Sequence, residues 1–206
     1  MGKNMALYDA PFGFIPYGPV LRVQRYAVNT APVLNFSPGD VVLPGGAIVS
    51  TPKGYLMDVL DAAVIVTATP ALGAITSVED EDGAPLQYMA AGRVGNGTIA
   101  GYLMIADHPD QIYLAQEDDG GSVAIDLVDG SMNADIASAT VDAPNTETGR
   151  STQQIDSSSI ATTATLTIKL IRPHEDDIPA VDASPYVRWV CQINEHHYGD
   201  TIVGVT

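Results

Sequence analysis

The sequence predicts an all-β protein, an antiparallel β-sandwich or barrel preceded by an extended N-terminal arm. Composition is the first observation. Nineteen glycines, fourteen prolines, scarce lysine and aspartate in excess of glutamate disfavour long helices and favour strands joined by turns. Turn signals at short intervals are the second, with "SPGD" at 37–40 and "LPGG" at 43–46 each placing Pro before Gly as a type II turn requires. The third is period-two alternation late in the chain, and no βαβ pattern interrupts it.

Residues 1–26 read as the arm. Tyr8, Phe12, Phe14 and Tyr17 alternate with Pro11, Pro16 and Pro19, a composition that cannot be helical and suits an extended segment laid on a surface. The aromatics either pack on the chain's own body or fill pockets of another subunit. Arg22 and Arg25 have the same two readings: they pair with acids of a partner, or they balance the chain's own. Residues 27–206 form the β-rich body, as one unit or two lobes.

Strands are expected near 20–28, 41–50, 54–60, 63–68, 74–78, 85–91, 98–106, 111–117 and 122–128. The clearest patterns come later. In "TATLTIKLI", Ala164, Leu166, Ile168 and Leu170 alternate with threonines and Lys169, and in "YVRWVCQIN" Val187, Trp189, Cys191 and Ile193 share one face. The linker between them is rich in proline and acid, so the two strands are expected to share a sheet, with Trp189 and the single cysteine in the core. The Ser/Thr-rich stretch before them reads as a polar loop with one helical turn at "STQQID".

At 206 residues the chain can bury roughly 70% of its unfolded surface, and with 46% hydrophobic residues it is expected to pack despite a formal net charge of −16. That charge would repel phosphate and anionic lipid, which argues against nucleic acid and membrane as partners. The first residues suit neither a signal peptide nor a membrane span, because Asp9, Pro11, Gly13 and Pro16 interrupt the apolar run. Without secretion the triplets "NFS" and "NGT" carry no glycan, and one cysteine allows no internal disulfide.

Candidate sites meet simpler readings. "DHPD" at 107–110 suits a turn, and His108 has no partner histidine at metal-binding spacing. "VEDEDGAPLQYM" places Asp80, Asp82 and Gly83 as an EF-hand loop would, yet Val78 and Met89 occupy its essential ends. "EDDGG" and "HEDD" read as solvated loops. "GRVGNGTIAG" misses the dinucleotide spacing, and its Asn96-Gly97 pair suggests a type I′ hairpin. Ser157, Ser158 and Ser159 lack a nucleophile elbow. "NEHHYGD" gathers a base, an acid and a phenol, but His196 and His197 would point opposite ways on a strand.

"YLMIADHPDQIYLAQ", "GSMNADIA", "TGRSTQQIDSSSIATTATLTIKLI" and "WVCQINEHHY", taken in order over about residues 98–198, resemble head-associated auxiliary proteins of tailed bacteriophages. The resemblance implies a β-rich, often trimeric structural protein without enzymatic activity. It would sit on the outer surface of the virion, assembled in the host cytoplasm, and cement major capsid protein subunits where they meet. Tyr8, Phe12, Phe14, Tyr17, Arg22 and Arg25 are then the expected capsid contacts. No cofactor is expected, and deletion of the arm is expected to leave the body folded. The alternative from composition is a β-sandwich module that binds carbohydrate or calcium; a small hydrolase using His196 or His197 has the least support.

Overall fold

The computed structural model describes residues 9–51, 54–60, 70–118, 132–137, 145–177 and 186–199. Among them are twelve strands and no helix. In chain order they are β1 (Ile15–Pro16), β2 (Val23–Asn29), β3 (Val41–Thr51), β4 (Gly54–Leu60), β5 (Gly73–Glu79), β6 (Pro85–Leu86) and β7 (Ile99–Ala106). There follow β8 (Ile112–Gln116), β9 (Asn133–Ile136), β10 (Ile155–Ala161), β11 (Ile168–Pro173) and β12 (Arg188–Ile193).

They form two six-stranded sheets, ordered β1-β8-β12-β11-β9-β10 and β3-β4-β2-β7-β5-β6. The second sheet curls because β3 also pairs β5, through Val41↔Ala74 and Val42↔Gly73. Pairing is antiparallel except between β2 and β4, which meet in parallel at Ala27↔Asp58. In the first sheet a parallel bridge, Glu117↔Ile155, carries the residue after β8 back to β10.

The late alternation sets the packing. Val187, Trp189, Cys191 and Ile193 lie in one buried cluster with Ile168 and Leu170 of the neighbouring strand. Val41, Leu43, Ala74 and Ala106 of the second sheet join that cluster, so it is the layer between the sheets. A second cluster, with Tyr26, Val28, Phe36, Ile75, Leu103 and Ile105, gathers residues from β2, β5 and β7 of the curled sheet. Burying rings as large as Trp189, Tyr113 and Phe14 supplies the main drive to fold.

"SPGD" is the expected type II turn: Asp40 N donates to Ser37 O at 3.0 Å, and Gly39 takes the positive φ of 97° that this turn demands. "LPGG" is different. It lies inside β3, where the register with β4 slips between Pro44 and Ile48, so the glycines serve a bulge and not a turn. Asn96 keeps a negative φ, which excludes type I′; its Oδ1 instead accepts from Thr98 N and Ile99 N. "STQQID" contains no helical turn. Ser151–Gln154 have no regular structure, and Ile155 opens β10, which pairs β9. The expected strand at 85–91 shortens to Pro85–Leu86 plus the bridge Phe36↔Met89. Strands expected at 63–68 and 122–128, and the loop glycines of "EDDGG", lie outside the described residues.

The arm is docked over residues 9–22. Phe14 N donates to Gly39 O at 2.8 Å, and β1 pairs the edge of β8 through Ile15↔Leu114. Gly13 and Gly39 meet closely: a Cβ on Gly13 would stand 2.5 Å from Gly39 O and from Ser151 Cβ. Only glycine allows that crossing. β2 begins at Val23, within the last residues read as the arm.

Candidate functional site

Phe14, expected to meet a capsid pocket, is wholly buried in the layer between the protein's own sheets. Its ring is sequestered because the glycine crossing turns the arm inward at that point. Tyr17 is half-buried, its N–H donating to Ile112 O at 2.8 Å and its ring meeting His174 edge-on at 6.0 Å. Phe12 is half-buried and lines a cleft with Pro38 and Ile75. Tyr8 lies outside the described residues.

Both arginines are held by the chain's own acids. Arg25 reaches Glu79 at 2.6 Å and lies 3.6 Å above the centre of the Tyr102 ring, a cation–π contact. Arg22 belongs to a buried hub around Asp107 at the end of β7. Its Nε donates to Asp107 Oδ1 at 2.7 Å and its Nη2 to the Asp107 carbonyl at 2.7 Å, while Tyr26 hydroxyl donates to Oδ2. Asp107 is fully buried, so both carboxylate oxygens need these donors. Burial, followed by the hydrogen bond to Asp107, raises the Tyr26 phenol well above its usual range.

"DHPD" therefore divides. Asp107 is an interior anchor, and His108 to Asp110 make the turn, closed by Gln111 N donating to His108 O at 3.0 Å. The sequence offered no sign of the anchor, because its donors lie 85 and 81 positions away.

His196 and His197 differ in burial. His196 is almost fully buried, and its Nδ1 accepts from Tyr198 N at 3.0 Å. That bond assigns the proton of the neutral ring to Nε2, which has no partner among the described residues. Burial pushes its pKa down to about 4, partly offset by the negative charge of Asp107. His197 is half-buried and shifted the same way by desolvation.

A second buried titratable group is Glu117. Its Oε2 accepts from Trp189 Nε1 at 2.8 Å, and its Oε1 has no partner. Desolvation pushes its pKa up to about 7, against the opposing effects of the Trp189 hydrogen bond and the Val187 backbone. Cys191 is buried in apolar surroundings, which raises its thiol far out of the reactive range. The serines of β10 support acids: Ser157 donates to Asp118 at 2.8 Å and Ser158 to Asp156 at 2.6 Å.

The acidic loop at 80–84 caps itself. Asp80 Oδ1 accepts from Asp82 N and Ala84 N, at 3.0 and 2.7 Å. Among the described residues no three His, Cys, Asp or Glu side chains converge as a metal set would. No described helix is long and apolar enough to cross a membrane.

Two surface features remain. One is a strip of exposed apolar side chains: Ile15, Val20, Leu21 and Val23 on and after the arm, with Ile112 of β8 beside them. Gln111 ties the strip together, accepting from Leu21 N at 2.9 Å and donating to Pro19 O at 3.3 Å. Three of the strip's residues lie in "PVLRV" at 19–23, which the composition of the arm alone did not single out. The other is a cleft of about 350 Å3 lined by Asp110, Lys169, Gln192, Asn194, His196 and Tyr198 among others. Compared with known protein families, curated proteins and solved structures, the chain matches none.

Proposed function

We propose that this chain is a structural virion protein that decorates a phage capsid and bridges its major capsid protein subunits, without enzymatic activity. The exposed apolar strip carries the proposal. Ile15, Val20, Leu21, Val23 and Ile112 are each exposed on a body of net charge −16, and the hydrogen bonds of Tyr17 to Ile112 and of Gln111 to Leu21 and Pro19 bring the arm's end to the start of β8. Charge of one sign discourages copies from meeting through their acidic faces, so an attachment surface is expected to be apolar and local. The arm is the scaffold of that surface. Phe14 and the glycine crossing anchor it, and it presents Val20 and Leu21 outward; Arg22, paired with Asp107, holds its end to the body. Trimeric assembly on the shell's outer surface follows from the resemblance and is part of the same proposal.

The test is occupancy of purified capsid shells by the full chain and by Leu21→Asp. Val33→Asp serves as control, since Val33 is exposed in the loop after the far end of β2. Wild type and the control are expected to bind, and Leu21→Asp to lose most of its occupancy. No binding by wild type would overturn the capsid reading, and equal binding by Leu21→Asp would remove the strip from it.

A further inference from the structure

The cleft beside the C-terminal end of β12 has a donor and acceptor pattern of its own. Lys169 and Gln192 pair across β11 and β12, with Lys169 exposed on the sheet face away from the core. Pro109 and Asp110 of the turn after β7 form one wall, and Asn194, His196, Tyr198 and Gly199 form the other. At about 350 Å3 it falls within the ~300–1,000 Å3 of small-molecule sites.

Both amides are oriented. Gln192 Nε2 donates to Pro109 O at 2.9 Å, which leaves its Oε1 as the open end. Asn194 Nδ2 donates to Ala164 O at 2.7 Å and Leu166 O at 2.9 Å, which uses both hydrogens and leaves Oδ1. Asp110 adds an exposed carboxylate that stands 3.9 Å from His108 Nδ1, which itself accepts from Asp110 N. Against these acceptors stands the exposed Lys169 ammonium, with no acid at ion-pair distance among the described residues; the Nε2–H of His196 lacks a partner but is itself buried. Tyr198 brings a partly exposed ring.

That pattern selects by charge. An anion would face the oxygens of Asp110, Gln192 and Asn194 inside a field of net charge −16, and a cation would meet Lys169. A neutral polyol satisfies both sets, because each hydroxyl donates once and accepts as well. We infer that this cleft binds a neutral hexose unit of a glycan, with Asp110, Gln192 and Asn194 accepting from its hydroxyls and Lys169 donating to them. The inference stands on the cleft alone and goes beyond the capsid reading.

The experiment is an NMR titration of the full chain with neutral hexoses, with glucuronate and glucosamine as charged counterparts, and with glycerol. A neutral hexose is expected to shift the side-chain amide signals of Gln192 and Asn194 saturably, and the charged sugars and glycerol to do so more weakly. Asp110→Ala and Lys169→Ala, both at exposed positions, should each weaken binding about tenfold or more, with unchanged Trp189 emission reporting an intact fold. Three results would overturn the inference: no saturable shift with any neutral hexose, glucuronate or glycerol binding as well as the best hexose, or undiminished affinity in both variants.

Discussion

Trp189 donates its indole N–H to Glu117 at 2.8 Å where neither side chain touches water. The tryptophan is the chain's only one, so its fluorescence reports directly on this carboxyl. Glu117 titrates at about 7 in the folded protein, against 4.5 as its ordinary value, because burial penalises the charged form. A carboxyl raised on folding contributes stability below its unfolded pKa and loses it as pH rises through the folded one. The loss runs from about pH 4.5 to about 7 and is on the order of 3 kcal/mol.

His196 works in the opposite sense over an overlapping range. Its folded pKa of about 4, below the ordinary 6.5, makes stability fall as pH drops from 6.5 towards 4. The two slopes oppose each other between about pH 4.5 and 6.5. Glu117→Gln keeps an acceptor for the indole and removes one slope. Denaturant melts across this range should therefore give a variant whose stability, relative to wild type, grows as pH rises. Parallel curves for the two proteins would refute the buried titration, as would a Trp189 emission that stays constant with pH in the native wild type.

Removing the ring itself tests the packing. Trp189→Ala opens a cavity between the sheets and orphans Glu117, and should cost about 3–5 kcal/mol in urea melts. A cost under about 1 kcal/mol would mean that the site collapses around the gap or that the ring is not core.

The contrast between these two residues explains what the sequence can tell. Trp189 was legible because Val187, Cys191 and Ile193 repeat at period two on one buried face, and β11 carries the same pattern. Glu117 was not, because a carboxylate beside "DDGG" looks solvated until the fold places an indole 72 positions away against it. β10 was missed for a related reason. Its Ser157 and Ser159 are polar yet inward enough to bond Asp118 and the backbone of Asp135, so the strand has no apolar rhythm to read. The same holds for the acceptor oxygens of the cleft, which depend on carbonyls of distant turns. Phe14 shows the opposite limit: its ring and the prolines around it were plain, but whether it faced inward depended on Gly13 meeting Gly39.

Asp107 should behave as a hub. Tyr26→Phe removes one donor to a buried carboxylate and is expected to cost about 1–3 kcal/mol. Arg22→Ala leaves that carboxylate without its cation and should cost more, about 3 kcal/mol or above. If the two act on one charge, the double variant will fall measurably short of the sum of the singles. Strict additivity in thermal or urea melts would separate the two contacts and dissolve the hub.

Deletion of residues 1–22 is the sharpest test of how the arm serves attachment. From its sequence the body is expected to remain folded without it, but the structure places Phe14 in the core and β1 along the edge of β8. Truncation should therefore destabilise the body by about 3–5 kcal/mol for the lost ring alone, besides exposing an unpaired strand edge. Loss of capsid occupancy after truncation would then mix unfolding with lost contact. Phe14→Ala and Leu21→Asp separate the two: the first should lower the melting temperature, and the second should leave it unchanged while reducing occupancy. If the apolar strip is the attachment surface, occupancy by wild type will change little between low and physiological salt, because burial of apolar area is not screened as exposed charge is. A steep fall with salt would shift the attraction to charged side chains, and full occupancy by Leu21→Asp would place the contact elsewhere on the body.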